Sequence, residues 1–170
     1  MKKSDLILAS PERFLPYLNQ VGDVDLQEEL EISLHDFIRF VQNVPLGKHD
    51  YAYAPGKWTL KDIIQHLIDC ERIFAYRALR FGRGDRTPLP GFEEDDYALA
   101  AGGSKRLLKE LLTELSTVRH STLALYKSFL ADDLRKTGIA SGAEVSVGAL
   151  GFIIIGHMRH HQHVFAEQYL

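Results

Sequence analysis

Apolar residues recur at intervals of three and four along most of the chain, which is the spacing of one face of an α-helix. This pattern predicts four long helices, over residues 23–43, 59–81, 104–133 and 146–170, and a shorter helix over 92–101. Residue types that commonly cap helices stand at the starts of the four predicted long helices: Asp23 or Asp25, Thr59, Ser104 and Ser146. Residues 134–145 are predicted to be a loop, because Ile139 to Val147 is too polar and too interrupted by glycine for a strand.

Four long helices with apolar stripes predict an all-α protein folded as a four-helix bundle. The second connection, about 20 residues long, is long enough for a crossover in place of simple up-and-down order. A chain of 170 residues suits one domain. We therefore expect a single helical domain over residues 1–170, with residues 1–22 as an N-terminal extension.

Composition narrows the function classes. The formal net charge is −3, from 20 basic and 23 acidic side chains, which argues against nucleic-acid binding. The arginine-rich segment 72–86 could serve dimer contacts, an anionic substrate or a solvated face. No apolar run approaches the roughly 20 residues that a membrane span needs, and the single Cys70 excludes an internal disulfide framework. We expect a cytoplasmic protein without a membrane span.

Histidines are concentrated in one place: four of the eight fall between positions 157 and 163. At about 100° per residue, His157 and His161 lie on the apolar face of the last helix, with His160 at its edge and His163 turned away. His66 lies on the apolar stripe of the second helix. Three imidazoles are thus expected in the bundle interior.

Two histidines four residues apart on a helix can converge on one metal ion, as they do in zinc peptidases. The glutamate that follows the first histidine in those peptidases is absent, because Met158 stands there. The residues therefore suggest a metal site but do not support a peptidase. A lone His66 on an apolar face is also compatible with an ordinary core histidine.

Several segments together resemble the DinB-like superfamily. They are Gly56-Lys57-Trp58-Thr59 with His66-Leu67 and Asp69-Cys70-Glu71-Arg72, then Phe74-Ala75-Tyr76-Arg77, Leu89-Pro90-Gly91-Phe92 and Gly156-His157-Met158-Arg159-His160-His161. The resemblance covers nearly the whole chain from the first long helix onward.

The resemblance implies a bacterial four-helix bundle in up-down-down-up order, commonly a homodimer. Many members of the superfamily bind a divalent metal through three histidines, and these correspond to His66, His157 and His161. Relatives include enzymes that join bacillithiol or mycothiol to electrophiles and an isomerase that uses mycothiol. The resemblance therefore implies a small-molecule substrate, with a low-molecular-weight thiol as one candidate.

Three neutral histidines leave a position open on zinc or nickel, which is the arrangement of a catalytic site. The function expected is therefore a divalent-metal-dependent enzyme acting on a small molecule, by thiol S-transferase or hydrolase chemistry. The alternative is a non-catalytic bundle that binds a ligand or partner, with a structural or vestigial metal site.

Two further residues are candidates for catalysis. Asp69 lies about 60° from His66 around the helix, so it could orient a ligand or act as a base. It could equally form an ion pair with Arg72, three residues on. His160, at the rim, could assist at the site or have a packing or surface role.

The remaining polar and aromatic residues near the motifs have simpler interpretations. Cys70 could reach a metal but is more ordinary as a small buried residue. Trp58 is expected to be a packing anchor or a pocket wall, and Glu71 to contact another helix or a dimer mate. The acidic run from Glu93 to Asp96 is expected to be a solvated helix start.

Overall fold

Long helices dominate the computed structural model, which describes residues 1–6 and 8–170. The helices, in chain order, are α1 (Leu15–Leu18), α2 (Leu26–Gln42), α3 (Leu60–Gly82), α4 (Glu94–Ala101), α5 (Leu108–Lys127), α6 (Ala131–Arg135) and α7 (Val147–Gln168). A hairpin of β1 (Thr137–Ala140) and β2 (Ala143–Ser146) lies between α6 and α7. In the described residues no helix is both long enough and apolar enough to cross a membrane.

The four long helices α2, α3, α5 and α7 form the predicted bundle. Both α2 and α3 pack against α5 and α7, so these two consecutive helices occupy opposite corners. The buried apolar residues divide into a first and a second cluster, one toward each end of the bundle. Along the chain, α2 and α7 run from the first cluster to the second, whereas α3 and α5 run from the second to the first. The order is therefore up-down-down-up.

Local capping sets three of the helix starts where the sequence predicts them. The Asp25 side chain, rather than that of Asp23, accepts hydrogen bonds from two backbone N–H groups of α2. Thr59 forms a reciprocal capping box with Asp62 at the start of α3. Ser146 accepts a hydrogen bond from the backbone of Ala149 at the start of α7. Each cap satisfies a backbone donor that has no partner within its helix.

The predicted long helix over 104–133, capped by Ser104, is wrong at both ends. Ser104 lies in a single 3-10 turn, and its backbone N–H donates to the Asp62 side chain 2.7 Å away. Helix α5 begins four residues later, at Leu108, and ends before the separate short helix α6. A contact with α3, distant in sequence, has replaced the local cap.

The prediction of a loop without strands over 134–145 is also wrong. Strands β1 and β2 pair antiparallel through the two-residue turn Ser141-Gly142, in which both residues have positive φ, 51° and 76°, as hairpin turns require. The buried side of β1 carries Gly138 and Ala140, whereas Ile139 is exposed. Gly138 packs directly on the Phe81 ring, where a Cβ would come within 2.2 Å of a ring carbon. Small residues at the buried positions hide the alternation that marks a strand.

A buried ion pair connects the four long helices between the two apolar clusters. The Arg119 guanidinium of α5 is fully buried and donates to both carboxylate oxygens of Glu71 on α3, at 2.8 and 2.9 Å. It also donates to the Leu30 carbonyl and the Ser33 hydroxyl of α2 and lies 3.8 Å from the Met158 sulfur of α7. Glu71 thus contacts another helix, the first of the two alternatives for this residue.

Glu71→Gln should lower the free energy of unfolding by about 3–5 kcal/mol, because it leaves the buried Arg119 charge without its counter-ion. Urea denaturation followed by circular dichroism measures the change. Glu31→Gln, at an exposed position of the same chain, is the matched control and should stay within about 0.5 kcal/mol of the parent protein. Equal stabilities for the two variants would contradict this role for the ion pair.

Candidate functional site

The three predicted ligand histidines converge between α3 and α7. His66 projects from the middle of α3, and His157 and His161 project from successive turns of α7. The Nε2 atom of His157 lies 3.1 Å from Nε2 of His66 and 3.1 Å from Nε2 of His161. Each of the three residues offers a ring nitrogen within 4.8 Å of the other two. Two nitrogens held about 2.05 Å from one tetrahedral ion would be about 3.3 Å apart, so this spacing fits a shared metal.

Burial keeps these imidazoles neutral. Loss of solvent lowers the pKa of His66 to about 4, against a smaller raising effect of the Asp95 carboxylate. Burial and the neighbouring histidines lower the pKa of His161 to about 3 and that of His157 well below its usual value. A neutral imidazole presents a lone pair, which is the form that binds a metal.

The hydrogen bonding of the cluster is incomplete within the described part of the chain. The buried Nδ1 atom of His161 has no hydrogen-bond partner there, although its Nε2 faces His157. A neutral imidazole carries one N–H and one nitrogen lone pair. When three ring nitrogens point toward one another, hydrogen bonds among them cannot pair every lone pair with a proton. A cation among them would let all three lone pairs bind the same centre, which is why the donor set fits a divalent ion.

Aromatic rings surround the cluster on both sides. The Trp58 ring lies 4.8 Å from the His66 ring, and the Tyr17 ring lies 4.9 Å from that of His157. Phe74 of α3 contacts His157 at 6.3 Å between centroids. Trp58 is half-buried and therefore serves both as a packing anchor and as a wall of the site. These rings cover the cluster at His66 and His157.

Tyr17 reaches the cluster because α1 lies directly on α7. A Cβ added at Gly156 would come within 1.9 Å of the Tyr17 carbonyl oxygen, so only glycine permits this approach. The Tyr17 ring also lies 5.4 Å from the ring of His160. Sequence reasoning missed Tyr17 because α1 is a helix of four residues, too short to show a periodic pattern.

Cys70 lies one turn after His66 on α3. Its sulfur is buried and 3.6 Å from Nδ1 of His66. Burial, with the charges of Glu94 and Asp69, raises the pKa of the Cys70 thiol far above its usual value. The residue is therefore a neutral thiol packed against the ligand ring, in agreement with the buried-residue interpretation.

The two candidate catalytic residues lie in different surroundings. Asp69 accepts a hydrogen bond from Gln65, 3.0 Å away, and lies 3.8 Å from Arg72, the partner expected in the ion-pair interpretation. Burial raises the pKa of the Asp69 carboxyl. His160 is half-buried at the rim, with its ring 5.2 Å from that of His161. The structure thus places His160 beside the cluster, whereas Asp69 lies between Gln65 and Arg72 on α3.

A cavity of about 320 Å³ opens beside His161. Its lining residues come from the segment before α3, from α3, from the start of α4 and from the last turns of α7: Tyr53, Gly56, Lys57, Trp58, Ile63, Asp95, His161, Val164 and Tyr169. The acidic run from Glu93 to Asp96 is exposed at the start of α4, which confirms the expected solvated helix start, and Asp95 also lines this cavity. No spacing in the sequence indicates that contact, because it depends on how the second connection folds back.

Comparisons with known proteins agree with this architecture. The family model described as the DinB superfamily matches residues 29–165. YfiT from Bacillus subtilis, described as a probable metal-dependent hydrolase with an unusual four-helix bundle topology, superposes with a TM-score of 0.75 at 16% identity, covering 84% of this chain and 83% of that one.

A second solved structure, the mycothiol-dependent maleylpyruvate isomerase, gives a TM-score of 0.64 at 16% identity. The match covers 82% of this chain and 60% of that one. The search of curated proteins gave no significant match. At these identities the two structures establish the fold and leave the reaction open.

Gly156→Ala should destabilise the protein by about 1–3 kcal/mol, because the new methyl group meets the Tyr17 backbone, which no side-chain rotation can relieve. Urea denaturation measures the loss. The matched control is Gly47→Ala, where an added Cβ meets nothing within 4 Å. If both variants unfold at the same urea concentration, α1 does not pack on α7 as described.

Proposed function

The chain belongs to the DinB superfamily, and on this premise we propose that it is a divalent-metal-dependent enzyme acting on a small molecule. The observation that carries the proposal is the convergence of three neutral imidazole nitrogens from His66, His157 and His161. Three protein ligands leave a position open to substrate, whereas structural sites are usually closed by a fourth.

A zinc or nickel ion bound by these residues would supply a Lewis acid that activates a water for hydrolysis or a thiol for transfer. The chain's own residues would provide the rest. Tyr17 and Trp58 would shield the cluster from bulk water, which strengthens electrostatic interactions inside. His160, at the rim, would contact the substrate, and Asp69, which accepts a hydrogen bond from Gln65 on the same helix, would act as a base or orient a ligand. The catalytic roles of Asp69 and His160 stay predictions, as does the homodimer.

Two reaction classes fit this site equally well. Thiol S-transfer needs room for two reactants beside the ligands, and hydrolysis needs room for one reactant and water. The cavity beside His161 is near the lower end of the range for small-ligand sites. The proposal therefore names a small molecule and leaves both reactions to be tested.

The metal is tested on protein purified without a nickel column. We expect about one divalent ion per chain by inductively coupled plasma mass spectrometry. His66→Ala should weaken metal affinity by about a hundredfold or more. Mutation of residues that only hydrogen-bond to metal ligands already weakens metal affinity by about ten- to a hundredfold. His163→Ala, exposed on the same helix as two of the ligands, is the matched control and should retain the metal.

Circular dichroism of the His66→Ala variant separates metal loss from misfolding. If the parent protein holds no stoichiometric metal, even after reconstitution with zinc or nickel, the enzyme proposal fails and the non-catalytic bundle is favoured. If metal is present, a low-molecular-weight thiol with an electrophile, and separately a panel of esters and amides, distinguish transfer from hydrolysis by mass detection of the products.

A further inference from the structure

The cavity beside His161 carries charges of both signs on its wall. Lys57 comes from the segment before α3, and Asp95 comes from the first turn of α4. In the part of the chain that the structure describes, neither residue forms an ion pair within 4.0 Å. Opposite charges that face a cavity without pairing to each other are available to a ligand.

A ring contact holds the Lys57 charge near the cavity. The Lys57 ammonium lies 5.9 Å from the centre of the Tyr53 ring, itself part of the wall, an arrangement that attracts the cation to the ring face. Asp95 lines the same cavity as His161. Asp95 is therefore close to the histidine cluster, and Lys57 is at the aromatic wall.

The aromatic wall is fixed by its own contacts. The Tyr169 hydroxyl donates to the Trp58 carbonyl oxygen, 2.6 Å away, and the Tyr53 ring meets the Tyr169 ring edge-on at 5.4 Å. Trp58 continues the wall toward His66. A wall of this kind accepts the apolar part of a ligand.

We propose that the cavity binds a small zwitterion of the amino-acid class, with its carboxylate at Lys57, its ammonium at Asp95 and its apolar part against the aromatic wall. A simple carboxylate would leave Asp95 unpaired, and a simple amine would leave Lys57 unpaired. The inference rests on the proposed function and deepens it, because His161 of the histidine cluster lines this cavity and the zwitterion would be the substrate class.

Trp58 is the single tryptophan of the chain and lines the cavity, so its fluorescence reports binding directly. The probes are L-phenylalanine, 3-phenylpropionate and 2-phenylethylamine, which share a phenyl ring and differ in their charged groups. Each is titrated into the full chain, as purified and again after a chelator has removed metal. L-Phenylalanine should bind more tightly than either other probe in both preparations.

Charge variants identify the groups responsible. Lys57→Gln should weaken binding of L-phenylalanine and 3-phenylpropionate by about three- to fivefold and leave 2-phenylethylamine unaffected. Asp95→Asn should weaken L-phenylalanine and 2-phenylethylamine by a similar factor and leave 3-phenylpropionate unaffected. The exposed Lys127→Gln and Asp96→Asn are matched controls and should bind all three probes as the parent does.

Three results would overturn the inference: no saturable change in Trp58 fluorescence with any probe, a singly charged probe that binds the parent protein as tightly as L-phenylalanine, or affinities that neither variant changes. Because chelated protein is included, these results do not depend on whether a metal binds. Metal content, measured separately, decides the proposed function, so the two can fail independently.

Discussion

The arrangement of the bundle depends on the contacts of the Arg119 guanidinium. A charged group removed from water needs all of its donors satisfied, or the folded state is strongly destabilised. Here the partners come from three other helices: Glu71 of α3, Leu30 and Ser33 of α2, and Met158 of α7. Only an arrangement that brings these four helices together satisfies the charge, which disfavours alternative pairings of their apolar faces.

This contact also fixes the register of the histidines. Met158 follows His157 directly, and Glu71 lies five residues after His66 on α3. A shift of α3 along α7 by one turn, about 5.4 Å, would separate the 3.1 Å contact between the two Nε2 atoms and would also remove Glu71 from Arg119. A buried ion pair contributes little net stability compared with apolar packing. Its effect here is on the relative position of α3 and α7, which determines the cluster.

The sequence predicts those features that depend on local spacing. His66, His157 and His161 lie inside because helical periodicity is regular, and Thr59 and Ser146 cap their helices because their partners are three residues away. Ser104 does not cap α5, since its backbone N–H donates to Asp62. The hairpin around Ser141-Gly142 is not predicted, because small residues on the buried side of β1 hide the apolar alternation of a strand. The Ser104 contact joins segments distant in the chain, which no local pattern encodes, whereas the hairpin is local but lacks the apolar alternation that marks a strand.

The same distinction divides the candidate site into two parts. The proposed metal ligands stand on the long helices α3 and α7, where packing on both sides holds them rigidly. The cavity walls come mainly from other places: Tyr53 and Lys57 from the connection before α3, and Asp95 from the second connection. Connecting segments tolerate substitution far better than a packed core. A bundle of this kind can therefore keep one metal site and change its substrate by changing the connections, which is why its fold alone does not identify a reaction.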